Sequence, residues 1–258
     1  MQARQLPPQR GWAWLAEGVR LWRRNPPLLT FASFSYLLML LVASSIPLMG
    51  QPLAFLLMPM LSLGVLNTCR AIDEGRKSGP DILFSGFRSN LGALMTIGGL
   101  YLIGNLLALW LSSALDGGLL MRLMTSAEPL GRDEITLADL SYSLAIATAL
   151  STPIVMAYWF APALAGWFQV PASKALFFSF VACVRNWRPF VAYVLALTLF
   201  GALLPGLLIG AIGAISPLLS TLALLMMPLV VIPVMFASFY VNLQDVFAPP
   251  TIDERIVD

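Results

Sequence analysis

Residues 189–244 read PFVAYVLALTLFGALLPGLLIGAIGAISPLLSTLALLMMPLVVIPVMFASFYVNLQ, and these 56 residues contain no Asp, Glu, Lys or Arg. A membrane-spanning helix needs about 20 apolar residues, whereas one helix of this length would extend far beyond a hydrocarbon core about 30 Å thick. The segment must therefore fold back on itself. Its glycine, serine and proline residues at 213–217 mark the predicted turn, so this stretch predicts two transmembrane helices.

Three further stretches lack charge, namely residues 25–69, 89–115 and 140–173. The first is again about two spans long, and its turn signal is the stretch 47–52, which contains two prolines and a glycine. The basic region before it extends to Arg24 and a second span follows directly, which indicates an uncleaved first span and not a signal peptide. The sequence therefore predicts six spans, at about 27–47, 51–70, 91–114, 142–168, 189–212 and 217–241.

The composition agrees with an integral membrane protein. Apolar residues make up 59% of the chain and charged residues 11%, with a mean hydropathy of +0.82, whereas soluble domains carry about 25% charged residues. The net charge of +2 provides no surface for nucleic acid. Histidine, the commonest general base and metal ligand, is absent, and the spacing of Cys69 and Cys183 does not suit a zinc site. We therefore expect no enzyme activity, no metal, no cofactor and no nucleic-acid partner, and we interpret both cysteines as structural thiols.

The basic residues predict the orientation in the membrane. Thirteen of the 15 Lys and Arg residues fall on one side of the six predicted spans, and only Arg122 and Arg132 fall on the other. Because basic loops stay in the cytoplasm, we expect both termini, including a short tail at 248–258, on the cytoplasmic side of a bacterial inner membrane. The far-side loop at about 116–139 is net negative.

The spans are predicted to form a single membrane domain, residues 1–258, of three repeat-like units, at about 12–78, 79–170 and 171–247. Each unit is interpreted as a cytoplasmic interfacial amphipathic helix followed by a transmembrane hairpin. In the first unit the apolar residues of the opening helix recur at helical spacing beside arginines, at Trp12, Leu15, Val19 and Trp22. The segments 81–90 and 174–188 open the other two units, with aromatic and small residues followed by Arg and Asn.

The second span of each unit contains a proline followed by a small residue, and these prolines are Pro59, Pro162 and Pro233. Broken helices at matching positions can mark a binding site near the middle of the bilayer, although a proline is more often a tolerated kink. If the units are repeats, the three prolines should lie at similar depths and face a common axis.

The remaining polar groups in the spans are candidates for a polar path or for packing. Asn67 and Asn105 are the leading ones, and the more conservative interpretation of Asn105 is an interhelical hydrogen bond. Gly206 and Gly210 form a small-xxx-small pair, interpreted first as packing within the bundle and alternatively as a homodimer face. No carboxylate lies inside a predicted span, which argues against a proton pump or an acidic membrane protease.

Three segments carry a family resemblance: the aromatic, arginine-rich opening at 12–27, the Arg-Asn-Trp-Arg-Pro box at 185–189, and the closing FASFYVNLQDVF at 236–247. On these the chain resembles an uncharacterised family of proteobacterial six-span inner-membrane proteins. The resemblance implies fold and location but no activity. The chain departs from the pattern at Asn242 and Gln244, where a basic residue is expected.

These observations leave three functions open. We first expect a non-enzymatic scaffold or accessory protein, whose partners are the lipid bilayer and either a second copy of the chain or another membrane protein. The alternative is a transporter, channel or lipid-translocating protein with a path between the hairpins. A lipid enzyme would depend on Asp73, Glu74 and Asp81, which are more simply interpreted as solvated loop residues.

Overall fold

The computed structural model describes residues 3–125 and 136–247, which contain helices and no strand. The tail 248–258 and the charged residues Glu128, Arg132, Asp133 and Glu134 of the predicted acidic loop lie outside the described residues. The helices are α1 (Arg10–Arg24), α2 (Pro26–Ser44), α3 (Gly50–Asp73), a 3₁₀ helix (Pro80–Arg88), α4 (Leu91–Leu115), α5 (Leu119–Thr125), α6 (Leu137–Trp159), α7 (Ala161–Trp167), α8 (Ala172–Arg185), α9 (Trp187–Leu197), a π-helical turn (Thr198–Leu203), α10 (Leu204–Ile215) and α11 (Pro217–Phe247).

Six of these segments are long and apolar enough to cross a membrane, so the predicted all-α fold with six transmembrane helices is confirmed. They are Pro26–Ser44, Gly50–Asp73, Leu91–Leu115, Leu137–Trp167, Trp187–Ile215 and Pro217–Phe247. Both predicted fold-back points separate consecutive helices. Five residues separate α2 from α3, and Ser216 alone separates α10 from α11.

The asparagines that end the first two opening segments cap the helices that follow them. The side chain of Asn25 accepts a hydrogen bond from the amide of Leu28 at 3.3 Å, and Asn90 does the same for Ala93 at 3.4 Å. Such caps satisfy amides at the start of a helix that have no partner within it. The sequence pattern Arg-x-Asn or Arg-Asn before a span therefore indicates where α2 and α4 begin.

The fourth span is not continuous, which corrects the prediction for its proline. Pro59 and Pro233 lie inside helices, as predicted, but Pro162 lies in the first turn of the short helix α7. The hydroxyl of Ser179 on α8 accepts from the amide of Phe160 at 2.9 Å and donates to the carbonyl of Met156 at 2.7 Å. A side chain from another helix thus replaces the backbone hydrogen bond from residue 160 to residue 156, and α6 ends there.

The opening element of each predicted unit packs against a span of another unit. The 3₁₀ helix packs on α3, α8 packs on α6 and α7, and α1 packs on α11 and α9. We call the end of the bundle that carries these elements the capped end. Consecutive spans also pack as pairs, α2 with α3, α4 with α6 and α10 with α11. That the three units are repeats, and that their opening elements lie in the membrane interface, remain predictions.

Helix α1 is present where predicted, and the face that it buries in the protein is not the predicted membrane-facing stripe of Trp12, Leu15, Val19 and Trp22. Gly11, Trp14, Gly18 and Leu21 are buried, whereas Trp12 is 42% exposed. The two glycines decide this, because a Cβ at Gly11 would meet the backbone at Pro189 and one at Gly18 would meet Ser238. A helix face with two glycines lets another backbone approach closely, and α11 and α9 use that face.

The glycine pair of the fifth span is not packed within the described chain. A Cβ added at Gly206 or Gly210 would meet nothing within 4 Å among the described residues. The prediction that this pair packs within the bundle is therefore wrong, while the homodimer alternative remains a prediction. Neither the π-helical turn nor α10 buries any residue.

Candidate intramembrane binding cleft

Two adjoining cavities lie among the spans. A cavity of about 450 Å³ at the centre of the bundle, the central cavity, is lined by α2, α3, α4, α6, α7, α9 and α11. A second space of about 680 Å³, the lateral cleft, lies between α6 and α9, with Cys183 of α8 in its wall. The two share four lining residues, Val155, Trp159, Tyr193 and Leu197. The two spaces therefore adjoin at these four side chains, which lie between the surface cleft of α6 and α9 and the cavity among the spans.

The lining of this space is apolar and carries no Asp, Glu, Lys or Arg among the described residues. Its hydroxyl groups come from Tyr36, Ser62, Tyr101, Thr148, Ser151, Thr152, Tyr158 and Tyr193. At the outer end, Trp187, Val191 and Val194 are each at least half exposed, so the lateral cleft opens on a face that the bilayer would cover. An uncharged space of this size resembles small-molecule sites, which measure about 300–1,000 Å³.

Aromatic rings hold the inner wall in place. The ring of Trp159 contacts Phe190 and Phe239 edge to face, with centroid distances of 5.6 and 5.3 Å. The ring of Tyr158 stacks on Tyr101 at 4.2 Å. Such pairs add about 0.5–1.5 kcal/mol beyond the burial of their area. The two adjacent residues Tyr158 and Trp159 are therefore fixed in orientation where α6 ends.

Two polar atoms of these neighbouring side chains are buried. The Nε1 atom of Trp159 has no hydrogen-bond partner among the described residues, and the hydroxyl of Tyr158 lies close to that of Ser62. Two further hydroxyls of the lining are hydrogen-bonded within the protein. Tyr193 pairs with Ser238 at 2.5 Å, and Ser62 donates to the carbonyl of Pro59 at 3.0 Å.

The predicted site residues fall in different places. Pro162 lines the central cavity, whereas Pro59 and Pro233 are buried in the packing and are not among its lining residues. The structure thus brings one of the three prolines to the cavity. The side chain of Asn105 donates to the carbonyl of Tyr101 in its own helix at 2.7 Å and does not line the described cavities.

Asn67 joins three elements at the capped end. Its side-chain amide donates to the hydroxyl of Ser85 in the 3₁₀ helix at 2.7 Å, and its carbonyl accepts from Nε1 of Trp167 in α7, also at 2.7 Å. Asn67 is thus a packing residue and not part of the cleft. The guanidinium of Arg70, one turn further on, lies over the Trp167 ring at 5.5 Å.

Four carboxylates of the capped end, those of Glu17, Asp73, Glu74 and Asp245, are paired with arginines. Asp245 accepts from Nε of Arg10 at 2.6 Å and from the indole of Trp14 at 2.7 Å, and Glu17 lies 3.1 Å from Arg10. Burial opposes the charge of Arg10, but its hydrogen bonds to Asp245 and Glu17 raise its pKa overall. Two further pairs lie nearby, Arg24 with Asp73 at 2.8 Å and Arg70 with Glu74 at 2.8 Å.

The N-terminal segment is bound across the capped end. The side chain of Asn186 accepts from the amide of Leu6 and donates to the carbonyl of Arg4, both at 2.9 Å. The amide of Arg4 donates to the carbonyl of Val246 at 2.9 Å. The first and last described segments therefore lie at the same end of the bundle, as an even number of spans requires. The Arg-Asn box at 185–189 thus binds the N-terminal segment through Asn186.

Sequence reasoning did not find the cleft. None of Val155, Tyr158 and Trp159 is among the leading candidates from the sequence. The available signal was the aromatic pair at 158–159 beside Pro162, because such a pair at the end of a broken helix can face an interior space. No feature of the sequence in α6 or in α9 predicts the gap between them.

The six apolar helices, joined at one end by ion pairs and hydrogen bonds, define a polytopic integral membrane protein. The chain is 37% identical over 258 residues to a probable inner membrane protein of Burkholderia thailandensis, across 96% of this chain and 94% of that protein. It belongs to the family of that inner membrane protein, and the resemblance stated above is confirmed. No family model matches the chain, and no solved structure matches it.

Proposed function

We propose that this inner membrane protein is not an enzyme and binds the apolar part of a membrane lipid in the space formed by the lateral cleft and the central cavity. One observation carries the proposal: an uncharged cleft on the bilayer-facing surface between α6 and α9 adjoins an uncharged cavity among the spans, and four side chains line both. A lipid chain can enter such a space without crossing water, because the entrance lies within the apolar spans.

The chemistry of the lining supports an apolar ligand. Charged groups are costly inside a bilayer, and a cavity without them offers no compensation for a charged ligand. The space is also large enough to enclose part of a lipid chain. A groove on the surface of a single helix would only contact the lipids that surround the protein. This favours lipid handling, the alternative in the sequence interpretation, over a scaffold that binds no ligand.

The non-enzymatic part of the proposal is supported by the carboxylates of the capped end. Asp73 pairs with Arg24 and also accepts from the hydroxyl of Tyr240 at 3.2 Å, while Glu74 pairs with both Arg70 and Arg76. Hydrogen bonds from these arginines lower the pKa of Glu74. Because these arginines keep Glu74 ionised, it is a poor general acid, which argues against a lipid enzyme that uses Glu74 in that role.

The test is to fill the junction of the two spaces. Val155 lines both, so Val155→Trp should block the path, while Ala149→Trp places the same ring on an exposed, non-lining position of α6. Native mass spectrometry of the purified proteins should find bound lipid in the wild type and in Ala149→Trp, and much less in Val155→Trp. Equal retention in all three would contradict the proposal.

Whether the bound lipid also crosses the bilayer is a separate measurement. Vesicles that contain the protein and a labelled lipid in one leaflet would show loss of asymmetry if the protein translocates lipid. A protein that retains lipid but leaves the asymmetry unchanged fits an accessory role in lipid handling. If the wild type retains no lipid, the result would favour a scaffold that binds no lipid ligand.

A further inference from the structure

We infer that the lateral cleft selects an anionic phospholipid, whose phosphate binds Arg185 and Arg188 while one acyl chain lies in the cleft. This inference rests on the proposed function and names the class of lipid that occupies the site. It starts from the place of the two arginines at one end of the cleft and from their charge, which no ion pair among the described residues compensates.

The lateral cleft reaches the capped end of the bundle at Trp187. Along α9 its lining extends from Trp187 to Leu197, an axial rise of about 15 Å. This length corresponds to one leaflet of a hydrocarbon core about 30 Å thick. Because the fifth span begins at Trp187, this end of the cleft lies where the head group of a lipid would leave the apolar region.

Arg188 lies at this end of the cleft. Its guanidinium is over the ring of Trp187, 5.4 Å from the ring centroid, and Trp187 lines the cleft. Arg185 is the last residue of α8 and follows Cys183, another residue of the cleft wall, by two positions. Both arginines are exposed. Each is therefore within two positions in the chain of the cleft wall and is open to a ligand.

Neither arginine forms an ion pair within residues 3–125 and 136–247. The ion pairs found there use four other arginines, Arg10, Arg24, Arg70 and Arg76. The chain has no Asp or Glu between Asp139 and Asp245, so α8 and α9 carry positive charge only. An arginine guanidinium can donate two parallel hydrogen bonds to a phosphate group. This end of the cleft is thus complementary in charge to a phosphate.

The ligand must combine an apolar chain with an anionic group at one end. The uncharged lining of the cleft fits the chain, and the two arginines fit the anion. A phospholipid with a net negative head group, such as phosphatidylglycerol, meets both conditions. A zwitterionic phospholipid carries its own cation beside the phosphate and gains less from the arginines. A free phosphate would leave the apolar cleft unfilled.

The test is a competition between phosphatidylglycerol and phosphatidylcholine with identical acyl chains, offered in equal amounts to the delipidated protein in detergent. Native mass spectrometry should show that the wild type prefers phosphatidylglycerol by about 25-fold. Arg185→Gln and Arg188→Gln should each lower the preference about fivefold, and the double variant should have none.

Two controls separate this site from general attraction to a basic surface and from loss of the fold. Arg23→Gln removes another exposed arginine of the capped end, one that does not line the cleft, and should keep the wild-type preference. The double variant with Arg185→Lys and Arg188→Lys keeps both charges and should keep most of the preference. Size-exclusion profiles that match the wild type establish that the variants are folded.

The outcomes distinguish this inference from the proposed function. If lipid is retained in the Val155-dependent manner above but the wild type shows no preference, the inference is overturned and the proposed function stands. A preference that Arg185→Gln and Arg188→Gln leave unchanged, or that Arg23→Gln lowers equally, also overturns it. So does displacement of the bound lipid by glycerol phosphate, which has no acyl chain. If Val155→Trp does not lower lipid retention, the proposed function itself fails.

Discussion

Helix α3 and the span formed by α9 and α10 are both long and apolar, yet they differ in how far they are buried within the protein. In the most apolar window of Gly50–Asp73, 56% of the residues are buried inside the protein, against 6% for Trp187–Ile215. The two segments also differ in the atoms that surround their glycines. A Cβ at Gly64 would meet the backbone of Leu83, whereas one at Gly206 would meet nothing within 4 Å among the described residues.

The comparison shows that apolarity and burial are separate properties in a membrane protein. Lipid chains are as apolar as leucine, so helices associate through close packing and hydrogen bonds and not through the hydrophobic effect. Helix α3 offers both, with Gly64 and Asn67 facing the 3₁₀ helix. The fifth span packs on α1 and contacts α6 through the rings of Phe190 and Trp159, and its π-helical turn lies next to Leu197 in the cleft wall. The loosely packed span is thus the one that borders the proposed site.

The largest expected effect tests this contrast directly. Gly64→Leu should destabilise the protein by about 3 kcal/mol or more, because the new side chain meets backbone that cannot rotate away. Gly206→Leu, with the same change in volume and helix propensity, should have almost no effect on the monomer. Thermal unfolding in detergent measures both. Equal destabilisation by the two variants would break the comparison.

A smaller effect is expected where a charge is partly buried at the capped end. Asp245→Asn weakens the hydrogen bonds from Arg10 and from the buried Trp14, and should cost about 1.5–3 kcal/mol. Glu74→Gln removes a charge from an exposed pair and should leave the unfolding midpoint unchanged. Both are measured by the same thermal assay. If Glu74→Gln lost more stability than Asp245→Asn, burial would not determine how much these ion pairs stabilise the protein.

The two predicted asparagines sharpen the comparison further. Asn67→Leu removes hydrogen bonds to two other elements and should cost about 1–2 kcal/mol. Asn105→Leu removes only a bond to its own helix and should be nearly neutral. Denaturant titration in mixed micelles would resolve this difference. If the two variants lose the same stability, the hydrogen bonds between elements do not hold the capped end together.

The last effect, absent at neutral pH and present only in alkali, concerns the thiol of Cys183. Burial raises the pKa of this thiol to about 12, so the folded protein keeps it protonated where the unfolded chain, with an ordinary value of 9.0, has released the proton. Its contribution to stability should therefore fall as the pH rises from about 9 towards 12. In a Cys69→Ser background, a water-soluble maleimide at about pH 8 should label Cys183 only after unfolding.

The control for this labelling is the neighbouring position. Val184 is 46% exposed, so Val184→Cys in a background that lacks both native cysteines should react in the folded protein. Rapid labelling of native Cys183 would mean either that the packing of α8 against α6 opens or that the reagent enters the lateral cleft, whose wall includes Cys183. The native thiol hydrogen-bonds the carbonyl of Met156 at 3.5 Å, which agrees with a closed contact.

The number and order of the spans could be predicted from the sequence. Placing a charge in the hydrocarbon core is costly, and this constraint acts on each residue separately. Charge-free stretches and turn residues were therefore sufficient to predict the spans. The predicted turns at 47–52 and 213–217 overlap the observed breaks between α2 and α3 and between α10 and α11. The caps at Asn25 and Asn90 are equally local, because each acts within three residues.

Contacts between distant segments could not be predicted in the same way. The break in the fourth span depends on Ser179, 19 residues beyond Phe160, and the buried face of α1 depends on α11, more than 200 residues away in the chain. Asn67 and Asn105 look alike in sequence, and only the position of Ser85 and Trp167 makes one of them a packing centre.

The sequence by itself determined that this chain is a six-span membrane protein, because insertion depends on the apolarity and length of each segment. Only the tertiary structure decided which spans are enclosed by protein, which side chains meet at the capped end, and that α6 and α9 leave an uncharged cleft between them. The physical reason is that lipid and protein interior are equally apolar, so the choice between them rests on steric fit and hydrogen bonds between segments far apart in the chain.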